Sequence, residues 1–215
     1  MAEVPEAYLG VWQRLLLRTP QFEDTTTQVY WLQTRDWHAD LRVPLSRPNC
    51  AGKSSLAQLD NTELLGLSTQ QGFCGLTEVI GDICHWHRKV DFQPPSGFND
   101  VGRMVFETSE RVLEYGVEQD YLEIWQRLPD SVEDPWVNVS AGTDTAARMM
   151  QIGVGKYFMH VRPRAPSLPV ADLEHDLDAL RAWVDFEISF GEQTADGTRR
   201  ILRSTLPWQE SLILA

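Results

Sequence analysis

The sequence is short of basic residues, of cysteine and of long apolar runs, and each shortage excludes something. Nineteen Lys and Arg stand against thirty-one Asp and Glu, a net charge of −12 over 215 residues. Nucleic-acid binding rests on basic side chains that neutralise phosphates, so no nucleic-acid partner is expected. No apolar run approaches the roughly 18 residues of a membrane span. The opening Met1–Glu6 stretch lacks the basic start and apolar core of a secretory leader. Three cysteines, Cys50, Cys74 and Cys84, are odd in number and share no metal-type spacing. That usage fits a reducing compartment, and the expected location is cytoplasmic. The nucleophile pattern Gly-x-Ser-x-Gly is absent, and Gly153-Val154-Gly155 lacks the further glycine and following helix of a phosphate loop. No cofactor follows from these motifs.

What the chain does contain is aromatic and strand-forming. Apolar residues make up 42% and tryptophans number eight, enough to bury a sizeable core and to argue against disorder. Period-two runs of aromatic and branched residues cover Gln28–Gln33, His38–Val43, Gly81–Phe92, Val101–Glu107, Arg111–Tyr115 and Tyr121–Leu128, separated by Gly, Pro, Asn and Asp. Two segments have helical spacing. Asp60-Asn61-Thr62-Glu63 is a capping-box pattern and predicts a short helix near 61–70. Asp172 followed by Leu173, Leu177, Leu180 and Val184 predicts a second near 172–183. The expected fold is mainly β: antiparallel barrel or sandwich with one or two short helices.

The chain also echoes itself. Tyr8-Leu9-Gly10-Val11-Trp12-Gln13-Arg14-Leu15 returns as Tyr121-Leu122-Glu123-Ile124-Trp125-Gln126-Arg127-Leu128. Weaker matches follow in the same order, so an internal duplication is expected, with a first half over 1–118 and a shorter related half over 119–215. Similarity between strands of one barrel, imposed by shared packing, is the other reading. Inside the echo lies a Trp-x-Arg triplet, present as Trp12/Arg14, Trp125/Arg127 and again as Trp86/Arg88. Residues two apart on a strand share a face. An arginine facing inward needs a carboxylate, and Asp40 beside Arg42, Glu123 beside Trp125 and Arg127, and Glu114 on the neighbouring strand have the right parity. These residues either plug the barrel or line a ligand site. The candidate ligand-binding set is therefore Trp12, Arg14, Asp40, Arg42, Trp86, Arg88, Glu114, Glu123, Trp125 and Arg127.

Gly10-Val11-Trp12 resembles the Gly-x-Trp signature that opens the first strand of lipocalins and related calycins. A wider set of residues carries the likeness further: Asp40 to Pro44, Gly72-Phe73-Cys74-Gly75, Trp86-His87-Arg88, Asp91 to Pro94 and Tyr121 to Trp125. It is similar to a largely uncharacterised family of bacterial and fungal proteins with lipocalin-like repeats, over about residues 8–128. The resemblance implies one barrel or two, a tryptophan packed across the barrel end against an arginine from a distant strand, and no established activity. The short second half and the lack of secretory disulfides depart from a full lipocalin.

Three functions compete. A barrel lined by Trp and Arg suits a small amphipathic, apolar or anionic ligand. An acidic exterior suits a protein partner with a basic surface. A metal-dependent enzyme would use His85 and His87, two imidazoles on one strand face, with Asp91 further along that face. The alternation itself reads His85, His87, Lys89 and Asp91 as a solvent-facing side. Cys74 is either a thiol nucleophile or a buried inert strand residue. His38, His160 and His175 stand alone, and Glu107 to Asp134, where nine acids meet two arginines, reads as a solvated rim.

Overall fold

The computed structural model describes residues 4–140, 149–165 and 176–214. Among these residues, fifteen strands fall into two antiparallel sheets. The first holds β1 (Gly10–Arg18), β2 (Glu23–Asp24), β3 (Gln28–Gln33), β4 (Trp37–Val43), β5 (Gln71–Ile80), β6 (Ile83–Asp91), β7 (Val101–Thr108), β8 (Arg111–Gly116) and β9 (Leu122–Arg127). Neighbours in this sheet follow chain order, and β9 returns to pair with β1, which closes eight strands into an up-and-down barrel with β2 as a flap on β1. Closure leaves the ring without an unpaired edge.

The six runs read from alternation are β3, β4, β6, β7, β8 and β9, with ends shifted by a residue or two. The two echo segments are adjacent strands of this one ring. They run antiparallel, with Trp12 opposite Arg127, Gln13 opposite Gln126 and Arg14 opposite Trp125. The first sheet thus continues past the 118/119 division through Arg127. The second sheet, β10 (Trp136–Val139), β11 (Met150–Val154), β12 (Tyr157–Arg162), β13 (Glu187–Gln193), β14 (Arg199–Ser204) and β15 (Ile213–Leu214), is among the described residues an open meander.

The second sheet lies across the outside of the barrel. Val11, Leu32, Ala39, Leu41, Val43, Cys74 and Phe92 from the barrel pack with Met150, Ile152, Met159, Val161, Phe186, Ile188 and Phe190 in one apolar layer. Gly72 permits this approach, since a Cβ there would lie 3.0 Å from both the Asp40 carbonyl and Ile188 Cδ1. Helix α1 (Asn61–Ser68) begins with the expected capping box, Asp60 accepting from the Glu63 amide and Glu63 from the Asp60 amide. Helix α2 (Leu177–Val184) is capped by Asp176; Asp172, Leu173 and His175 lie outside the described residues. The two helices pack through Leu64, Leu67, Leu180 and Trp183. Among the described residues no helix is long and apolar enough to cross a membrane.

Candidate functional site

Alternation sends every second residue of the ring inward, and the interior divides into two ends. At one end the chain before β1 folds across the opening, burying Val4 and Tyr8 with Trp12, Trp31, Trp86, Trp125, Met104 and Val112. Trp31 is the hub, 6.1 Å from Trp12 in a stacked pair and 5.6 and 5.8 Å edge-on from Trp86 and Trp125. Trp12 Nε1 donates to the Tyr8 carbonyl at 2.8 Å. Arg127 lies over the Trp12 ring at 4.5 Å and donates to the Ala7 carbonyl at 2.6 Å, so it fastens the plug. That is a tryptophan covered across the barrel end by an arginine from a strand distant in sequence. His38 lies deeper at this end. Its Nδ1 meets Thr77 Oγ1 at 3.0 Å, and burial, then the Arg88 and His87 charges, push its pKa down to about 3.

The other end is charged and open. Arg14 donates to Glu123 at 2.6 Å and to Asp24 at 2.9 Å. Arg42 donates to Asp40 at 2.8 Å and lies 3.9 Å from Glu123. Arg88 bridges Asp91 at 2.9 Å and Asp100 at 2.7 Å, with its guanidinium 3.6 Å over Phe73. Glu114 accepts from the Tyr121 hydroxyl at 2.7 Å and from Trp125 Nε1 at 3.0 Å. Burial, with the Glu123 charge added, pushes the Glu114 carboxyl well up and favours its protonated form. Burial and Glu114 raise the Tyr121 phenol, which stays a donor. Burial disfavours the charge on Arg42, yet Asp40 and Glu123 outweigh it and hold the guanidinium ionised.

Between the two ends the lumen is filled. Trp31, Asp40, Phe73, Trp86, Glu114 and Trp125 surround a cavity of about 10 Å³, no more than a single water needs. Two clefts open above it. One of about 530 Å³ is lined by Phe22, Arg42, Arg88, Glu114, Tyr121 and Glu123; one of about 480 Å³ runs on through Arg88, Asp91, Phe98, Asp100 and Tyr121. Phe22 is 54% exposed and Phe98 59%, so aromatic rings stand free along both clefts.

All ten residues expected to bind or plug face this interior, but they divide. Trp12 and Arg127 belong to the plug, and Trp86 and Trp125 to the filled middle. Arg14, Asp40, Arg42, Arg88, Glu114 and Glu123 form the charged floor. Among the described residues no arginine stacks on the tryptophan of its own triplet: Arg127 covers Trp12, Arg88 covers Phe73, and Arg14 is held by carboxylates. Asp24, Asp91, Asp100, Tyr121 and Trp31 complete the set without having been singled out for it. Tyr121 shares the parity of Glu123, Trp125 and Arg127, which is signal enough to find it.

The His85/His87 metal reading is corrected by a bulge. Cys74 pairs with Val90 and Gly75 with Arg88, leaving Lys89 extra. Gly75 makes room, since a Cβ there would lie 2.0 Å from the His87 carbonyl. Alternation resumes with Asp91 turned inward onto Arg88, away from the histidines. His85 and His87 stack outside the ring at 6.1 Å, and His87 meets Glu78 at 3.2 Å. Among the described residues no three His, Cys, Asp or Glu side chains are placed to hold a metal ion. Cys74 is fully buried between the sheets, and burial pushes its thiol up to about 12, which leaves it inert.

No family model matches the chain, and no curated protein matches it. Among solved structures, an uncharacterized protein from Saccharomyces cerevisiae is similar over 91% of this chain and 84% of its own, with a TM-score of 0.54 and 12% identity. A second uncharacterized protein, from Bacteroides eggerthii, matches 56% of this chain and 99% of its own at 9% identity and a TM-score of 0.37. At that identity the yeast protein shows a shared fold and nothing about activity. The chain is a closed eight-stranded antiparallel barrel with a second sheet packed on it, and it has uncharacterised structural neighbours.

Proposed function

We propose that this is a lipocalin-like binding protein that takes a small amphipathic molecule at the charged mouth of its barrel rather than deep in the lumen. One observation carries the reading: buried Arg14, Asp40, Glu114 and Glu123 converge beneath an open cleft of about 530 Å³. Burying ionised groups costs several kcal/mol each before pairing, and apolar replacements often serve stability as well or better. Ionisable groups gathered below a cleft are the usual mark of a site. The exposed rings of Phe22 and Phe98 supply an apolar wall for the rest of such a ligand. Arg127 over Trp12 supports the lipocalin-like reading, because it is the end-closing contact of that family.

An anionic head group is the natural partner of the arginines taken alone. It would have to displace carboxylates already bonded to each of them. The test is a titration of the protein with small amphipathic molecules of both charges, read by tryptophan fluorescence and by thermal shift. Saturable quenching is expected, because Trp31, Trp86 and Trp125 surround the cavity beneath the mouth. Arg88→Ala, which removes a cation from the cleft wall and frees Asp91 and Asp100, should shift the apparent affinity about 10-fold, roughly 1.4 kcal/mol, upward for a cationic ligand and downward for an anionic one. No saturable response across such a panel would overturn the proposal.

A further inference from the structure

The charge of the mouth is unbalanced in a specific way. Six carboxyl groups, Asp24, Asp40, Asp91, Asp100, Glu114 and Glu123, meet three guanidiniums, and each guanidinium is already bonded to at least one of them. The surplus falls on one pair. Glu114 and Glu123 are direct partners across β8 and β9, facing the same side. Residues so opposed hold their Cβ atoms about 4.5–5.5 Å apart, and like charges there repel. Glu123 is bonded to Arg14, but Glu114 has neutral donors only, Tyr121 and Trp125. Space is kept for Glu114 by Gly102, whose Cβ would come 2.8 Å from Glu114 Cγ.

A second observation comes from the same cleft. Both glutamates line it, and so does the exposed ring of Phe22. An opening with a pair of buried glutamates at its floor and a free aromatic ring at its wall matches a molecule with a positive end and an apolar end. We propose that the mouth selects a small organic cation, an ammonium carrying an apolar group, with the ammonium between Glu114 and Glu123 and the apolar group against Phe22. This rests on the reading of the mouth as a ligand site.

A proton follows from the same geometry. In the empty protein Glu114 keeps its carboxyl proton. Glu114 is faced by Glu123 and Tyr121 on the β9 side, Asp100 before β7, Arg42 on β4 and the Cys84 thiol on β6. When the ammonium enters, the Glu114 O–H bond breaks, its electron pair stays on the carboxylate, and the proton leaves to solvent. One cation enters as one proton departs.

The probes are phenethylammonium, phenylpropionate and phenylethanol, which share a ring and differ in charge. Each is titrated into the full chain by calorimetry at neutral pH, in two buffers of different ionisation enthalpy. Phenethylammonium is expected to bind at least 10-fold more tightly than the other two and to release close to one proton. Glu114→Gln should abolish the proton release, and Phe22→Ser, on the exposed rim, should weaken binding several-fold with the melting temperature unchanged. Phenylpropionate or phenylethanol binding as tightly as the amine would overturn the cation selectivity and leave the ligand site standing. Failure of all three to bind at millimolar concentration would overturn both.

Discussion

The two ends of the barrel are built from the same strands and the same Trp-x-Arg triplet, yet one is a plug and the other a charged floor. The difference is direction. In β1 the order runs from Trp12 at the plug to Arg14 at the floor, whereas β9 runs the other way and delivers Arg127 to the plug. At the plug, Arg127 has an aromatic face and a carbonyl; at the floor, Arg14 has two carboxylates. A short motif therefore fixes inward orientation but not role. The role comes from which end of the ring the strand polarity assigns, and from what the neighbouring strands place there.

That contrast can be broken experimentally. Trp12→Ala removes a fully buried indole of the plug and should cost about 3–5 kcal/mol in urea denaturation. Arg14→Met removes the guanidinium bonded to Glu123 and Asp24, leaving Arg42 at 3.9 Å from Glu123, and should cost nearly as much, about 3 kcal/mol. The double change Arg14→Met with Glu123→Leu should recover most of that loss if the floor serves binding, whereas no recovery would make it a structural element like the plug. Glu114 adds a pH signature. Its folded pKa lies above its ordinary 4.5, so stability falls as pH rises from there towards about 8. Denaturation at pH 5 and pH 8 should show at least ~1.4 kcal/mol of this loss in the wild type and little of it in Glu114→Gln. The smallest effect belongs to Arg127→Met, about 0.5–2 kcal/mol, because it removes a cation–π contact and an exposed hydrogen bond to the Ala7 carbonyl while Trp12 stays buried.

Alternation is a local property, and the barrel strands governed by it are legible in the sequence almost residue for residue. β5 is missed because Gly72 and Gly75 interrupt the run, and both glycines answer to other strands: Gly72 to the second sheet at Ile188, Gly75 to the bulge of the next strand at His87. The same bulge moves Asp91 from the histidine face to Arg88, which no period-two count foresees. Parity correctly groups Asp40 with Arg42, which lie 2.8 Å apart. It pairs Glu123 with the wrong arginine, because the partner, Arg14, is 109 residues away. Ring closure decides that contact. The second helix is legible from Leu177 onward, where Leu180, Trp183 and Val184 give it a buried face.

The echo between β1 and β9 has one more consequence. Paired antiparallel about Gln13 and Gln126, the two strands make the closing seam nearly symmetric under a half-turn. A slip of two residues keeps every side chain on its own face, so hydrophobic patterning alone does not forbid it. In one direction that slip would set Trp12 against Trp125; in the other it would set Arg14 against Arg127, like charges directly opposed. The echo thus penalises the slip that opposes the two arginines, and the bulge after Arg14, beyond which Leu16 pairs with Ile124, marks the rest of the seam. Where the chain must find a partner more than a hundred residues away, it carries its own alignment mark.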